Sequence, residues 1–203
     1  MPAKNDDLHG MVPENSPVAL VMVDVINDLE FDGGDKLLES ALPMAERLAS
    51  LAAQARDAGI AVIYVNDNFG KWRSDFRATL SHCLDDDVRG KPIATLLTPD
   101  KSDYFVLKPK HSGFFSTTLD LLLEYLHTHT VIVTGLTTDR CVLFTAADAH
   151  MRDLHVLVPE DCCAAESAEA HREALELARR SADADTRPST ALDLEQLLAD
   201  ATT

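Results

Sequence analysis

Five short apolar runs, separated by stretches of helical periodicity, constrain this chain more than any other feature of its sequence. They are Val18 to Val25 (VALVMVDV), Ile60 to Val65 (IAVIYV), Tyr104 to Leu107 (YFVL), Thr130 to Thr134 (TVIVT) and His155 to Val158 (HVLV). All are rich in β-branched or aromatic residues, which suit extended backbone. Several are continuous rather than alternating, as in strands buried on both faces of a parallel sheet. Between them, Leu42 to Ala58 places Leu48, Leu51, Ala52 and Ala55 at helical spacing and stops at Gly59. Thr117 to His127 carries Leu119, Leu122, Leu123 and Leu126 on one face. Asp139 to Met151 and Ala165 to Arg180 follow the same pattern, and a short helix is predicted after Pro188. The alternation argues an α/β fold with a mostly parallel sheet.

The 203 residues suffice for one domain over 1–203, with 1–16 as an N-terminal extension. Asn66 to Pro99 is long for a connection and holds Gly70, Gly90 and Pro92. An insertion at a strand end is more often functional than idle, so a lid or pocket wall is expected over 66–99, with a short helix near Pro92 to Leu97. Asp183 to Pro188 reads as a weak edge strand or a loop. The net charge of −16 disfavours nucleic acid, whose phosphates would repel such a surface. No apolar run approaches the ~20 residues of a membrane span. No apolar h-region is visible in MPAKNDDLHG, so no signal peptide is expected. The cysteines are Cys83, Cys141, Cys162 and Cys163, with no spaced disulfide framework. Reduced thiols and a cytoplasmic location are expected. The vicinal Cys162 and Cys163 read as packed thiols.

Open α/β sheets bind ligands at their strand ends, and three chemical groups fall there. Asp24 ends the first run, Lys108 follows the third, and Cys141 lies just after the fourth. Cys141 follows a strand, a turn containing Gly135 and two candidate N-caps, Thr138 and Asp139. That places it in a first helical turn, where unsatisfied N–H groups and the helix dipole favour a thiolate and a developing oxyanion. By position alone, Cys141 reads equally as a small buried apolar residue. Asp24 reads as a general base or as a strand-end cap, because a carboxylate in an apolar run is costly unless paired. Lys108 alone is ambiguous, with Lys110 a rival.

Four segments together weigh against the bland readings. LVMVDVINDL, LKPKHSGFFSTTLDLLL, VTGLTTDRCVLFTAADAH and DCCAAES, in that order, resemble the motifs of the isochorismatase-like cysteine hydrolases from about Pro17 to about Ser167. The resemblance implies a three-layer α/β/α sandwich and a triad of Asp24, Lys108 and Cys141. It also implies a non-proline cis peptide, at Leu136–Thr137 by motif position, which aims the Thr137 N–H beside that of Cys141 at an oxyanion. Homo-oligomers are usual in such a family, so a homo-oligomer acting on a small molecule is expected.

The chain also departs from known members. The nicotinamidases of that superfamily hold a metal with an Asp-x-His pair and a further His, whereas VNDNFGKW has Asp67 but Phe69 in place of the first His. A lone Asp is a poor transition-metal site, so neither metal nor cofactor is expected, even with His82 later in the loop. The other histidines scatter with no ligand spacing and receive no role. Retention of Cys141 favours amide or ureide cleavage over the enol-ether hydrolysis of isochorismatases proper, which does not need that thiol. Phe31, Asn66, Asn68, Phe69, Trp72 and Phe114 are candidate pocket residues, the aromatics reading equally as core. Arg73 or Lys110 is a weak candidate for a substrate carboxylate. A silent binding or redox-sensing protein is the rival of a different class, and no missing triad member supports it. No Gly-x-Ser-x-Gly elbow and no Gly-x-Gly-x-x-Gly fingerprint occurs.

Overall fold

The computed structural model describes residues 15–70 and 75–201. Its strands are β1 (Val18–Val23), β2 (Ala61–Asp67), β3 (Tyr104–Lys108), β4 (Thr130–Leu136), β5 (His155–Leu157) and β6 (Cys163–Ala164). Every ladder is parallel, in the order β3-β2-β1-β4-β5, and β6 pairs with the end of β4. β1 is central and buried along its length, as a run without polar alternation requires. The helices are α1 (Gly34–Asp57), α2 (Phe76–Asp85), α3 (Lys91–Leu96), α4 (Leu119–Tyr125), α5 (Leu143–His150), α6 (Ala168–Ala182) and α7 (Leu194–Ala201).

The strand period of two divides the core into two layers. Val18, Leu20 and Met22 of β1 pack with Leu48 and Leu51 of α1 and Leu194 of α7. Ala19, Val21 and Val23 pack on the opposite face with Leu119 and Leu123 of α4, Ala146 of α5 and Leu175 of α6. The result is the expected helix–sheet–helix sandwich. Chain order reverses between β1 and β4, so the carboxyl edge beside those two strands is the natural ligand site.

Gly135 brings β4 close enough to β1 for that edge to work. It lies opposite Val23 with φ of 106°, and a Cβ there would sit 2.1 Å from the Val23 carbonyl oxygen. No other residue type fits both the dihedral and the contact.

The apolar runs mark β1 to β5 to within two residues, the two-residue β6 was not expected, and the helices differ more. α1 starts eight residues before the Leu42 boundary read from periodicity and contains Pro43. The carbonyl left without a partner by Pro43 belongs to Glu39, which faces solvent. α2 was not expected within 66–99; Asp75 caps it, accepting from the Ala78 N–H at 2.6 Å. The insertion is tied down by Tyr64 Oη on the Leu97 carbonyl (2.9 Å), by Phe76 stacked on Phe105 (5.2 Å) and by Arg89 on the Leu29 carbonyl (2.6 Å). The polar 183–188 stretch adds a single parallel bridge, Asp185 beside Leu157. No described helix is long and apolar enough to cross a membrane.

Candidate active site

The carboxyl edge gathers side chains from four elements. Asp24 leaves β1 in a left-handed turn (φ 52°) with its N–H on the Val65 carbonyl. Its Oδ1 accepts the Asp67 N–H at 2.7 Å, and its Oδ2 lies 2.7 Å from Lys108 Nζ. Lys108 ends β3 and is wholly buried. Its ammonium reaches the Lys110 carbonyl at 3.2 Å, Cys141 Sγ at 3.5 Å and Asp67 Oδ2 at 3.7 Å. One cation thus bridges a carboxylate and a thiol that lie far apart in sequence.

Cys141 lies in a π-helical segment, Thr138–Val142, that leads directly into α5. The wide turn is closed by Val142 N–H on the Thr137 carbonyl, and Thr138 Oγ1 is 2.8 Å from His171 Nδ1 of α6. The Leu136–Thr137 peptide bond is cis. The Lys108 loop is laced to the same helix. Ser112 Oγ bonds the Asp148 carboxylate, and Gly113 N–H donates to Thr145 Oγ1, which itself donates to the Cys141 carbonyl at 2.6 Å. The Ser-Gly-Phe motif therefore sets the lysine loop against the turn that carries the sulfur.

The electrostatics suit a thiol that stays protonated until it reacts. Burial raises the Asp24 pKa above the usual carboxylate value, more than Lys108 and the bonds from Cys141 and the Asp67 amide lower it. Burial opposes the charge on Lys108, but attraction to Asp24, Cys141 and Asp67 outweighs it and raises its pKa. Burial and the Asp24 charge push the Cys141 thiol up to about 12, against the pull of Lys108.

The other predicted residues are placed less uniformly. Phe31 and Phe69 are each 43% exposed, on the loops after β1 and β2. Asn68 Oδ1 accepts the Gly70 N–H, closing the turn at Phe69. Asn66 is fully buried; its side-chain amide donates to the Ile26 carbonyl at 2.6 Å and braces the loop after β1, while its Oδ1 has no hydrogen-bond partner. Phe114 is likewise interior: it joins the α4–α5–α6 core, with the Arg152 guanidinium 4.5 Å above its ring. Trp72 and Arg73 lie outside the described residues.

The donor set at Asp67 does not suit a metal ion. Oδ1 is taken by the Phe69 N–H and Oδ2 lies near the Lys108 ammonium. His82 instead pairs with Asp86 and Asp28 on the α2 surface.

Sequence reasoning missed His111. Its Nδ1 lies 3.6 Å from Cys141 Sγ, and its ring packs on Phe144 with centroids 5.7 Å apart. Its position three residues after Lys108 was a usable signal, but the loop's return to the sulfur is a tertiary fact.

The model of the isochorismatase domain matches residues 18–187. The chain is 40% identical over 157 residues to an uncharacterised isochorismatase family protein, YaaI, of Bacillus subtilis, covering 77% of this chain and 86% of that one. It is 28% identical over 179 residues to the ureidoacrylate amidohydrolase RutB of Cronobacter sakazakii, covering 73% and 74%. The crystal structure of N-carbamoylsarcosine amidase from Thermoplasma acidophilum superposes with a TM-score of 0.67 at 27% identity, covering 87% of this chain and 98% of that one.

Proposed function

The chain is a hydrolase of the isochorismatase family, and we propose that it cleaves the C–N bond of a small amide or ureide through a thioester on Cys141. The observation that carries this reading is the Lys108 ammonium held between the Asp24 carboxylate (2.7 Å) and the Cys141 sulfur (3.5 Å). Asp24 takes the thiol proton as sulfur attacks the substrate carbonyl, so a free thiolate need not accumulate. Lys108 stabilises the negative charge shared by carboxylate and sulfur. The amides of Thr137 and Cys141 receive the oxyanion. Asp24 then gives its proton to the departing nitrogen, and water cleaves the thioester. Relatives named for amide and ureide substrates support this class over an enol ether.

A screen of small amides, ureides and isochorismate, with Cys141→Ser alongside, tests the assignment. Turnover of an amide or ureide that vanishes in the variant is expected. Turnover of isochorismate alone, undiminished in the variant, would sink it.

The raised Asp24 pKa fixes the sign of a pH effect. The carboxylate is the active form, so kcat/KM should rise with pH through a value above the ordinary carboxylate range and then level off. Alkylation of Cys141 by iodoacetamide should follow that same acid limb. A rate that instead climbs only as an isolated thiol ionises would show that Asp24 is not its base.

A further inference from the structure

The polar neighbours of the Cys141 sulfur differ in access. Asp24 and Lys108 are buried, whereas His111 is exposed. Asp24 is held in the interior by the Asp67 N–H at Oδ1 and by Lys108 at Oδ2, and it also meets the Cys141 thiol there. His111 is held in place from two sides. Its backbone lies between the Lys110 carbonyl, which Lys108 grips at 3.2 Å, and Ser112, which is bonded to Asp148. Its ring rests on Phe144, itself 53% exposed. The imidazole therefore stands where solvent reaches the sulfur.

A hydrolase that works through an enzyme-bound thioester must solve two proton problems. The first, moving the thiol proton to a leaving nitrogen, suits a buried carboxylate beside the sulfur. The second is to activate a water that arrives from solvent after the nitrogen product has left. A base for that water must lie on the open side of the acyl group, within hydrogen-bond reach directly or through one water.

We infer that His111 is a catalytic residue of the second half-reaction, taking the proton of the water that cleaves the Cys141 thioester. The water oxygen bonds to the acyl carbon as one of its protons passes to Nδ1. The carbon–sulfur bond then breaks with its electron pair on sulfur, releasing the acid. The imidazolium returns its proton to the sulfur, which leaves a thiol and a neutral imidazole for the next cycle. This step rests on the thioester reading above.

p-Nitrophenyl acetate separates the two halves, because acylation appears as a burst of p-nitrophenolate and deacylation as the steady rate after it. His111→Ala should keep the burst and lower the steady rate by about 10²-fold, the usual contribution of a general base. Added free imidazole, with its own enzyme-free hydrolysis of the ester subtracted, should restore much of that rate, which a merely structural role would not allow. His111→Gln, which keeps the bulk and loses the base, should show the same split and guards against misfolding of the alanine variant. A steady rate unchanged in both variants, or a burst that falls by the same factor as the steady rate, would overturn the assignment. Cys141→Ala should show no burst; a burst that persisted there would instead remove the thioester itself.

Discussion

Cys141→Ala is expected to lower turnover by about 10⁴-fold or more while the protein stays folded. The size follows from the role: with no sulfur there is no covalent intermediate, and the remaining groups can only bind and polarise. The fold should survive because the alanine removes one half-buried atom and the charges beside it keep each other. Lys108 and Asp24 remain 2.7 Å apart, and the Lys110 carbonyl still accepts from the ammonium. A stability change of about 1 kcal/mol is the expected scale. Steady-state assays with thermal melts on the same preparations check both halves. Near-normal turnover in a well-folded variant would end the nucleophile assignment.

What could be read beforehand follows from how local each signal is. Strands such as VALVMV and TVIVTGL announce themselves because both faces are buried, so nearly every position is apolar and a buried Thr134 must spend its hydroxyl on the Val21 carbonyl. The front of α1 did not, because Asp35, Lys36, Glu39 and Ser40 outnumber the inward residues there and Pro43 breaks the pattern. α2 was overlooked inside a stretch read as one insertion, although Phe76, Leu80, Cys83 and Leu84 lie at helical spacing behind the Asp75 cap. Asp24, Lys108 and Cys141, which the fold brings together, were legible because each sits in a motif with its own local form. His111 was not, since its importance comes from two loops meeting at one sulfur. Phe114 shows the converse: its motif is legible, but its burial in the core beneath Arg152 depends on residues elsewhere in the chain.

The largest stability effects should come from parting Asp24 and Lys108. The two side chains are 9% and 0% exposed, so neither charge has water to fall back on. Asp24→Asn leaves the ammonium with the Lys110 carbonyl and with Asp67 at 3.7 Å, and Lys108→Met leaves a carboxylate with the Asp67 amide and the Cys141 thiol but no cation. Each single change should cost about 3–5 kcal/mol, the usual penalty for an orphaned buried charge. The Asp24→Asn, Lys108→Met double variant has no charge left to strand. It should therefore be more stable than the sum of the singles predicts, with a coupling of about 2–3 kcal/mol. The sign with pH follows from the same orphaned carboxylate. Without Lys108 its folded pKa should rise further above the unfolded value, so the folded state binds the extra proton and Lys108→Met loses stability as pH rises from the acid side. Denaturant titrations of the four proteins across that range measure both effects. Additive costs, or a Lys108→Met variant that gains stability on alkalinisation, would mean that the pair at the centre of the site is not the buried, mutually dependent unit its geometry implies.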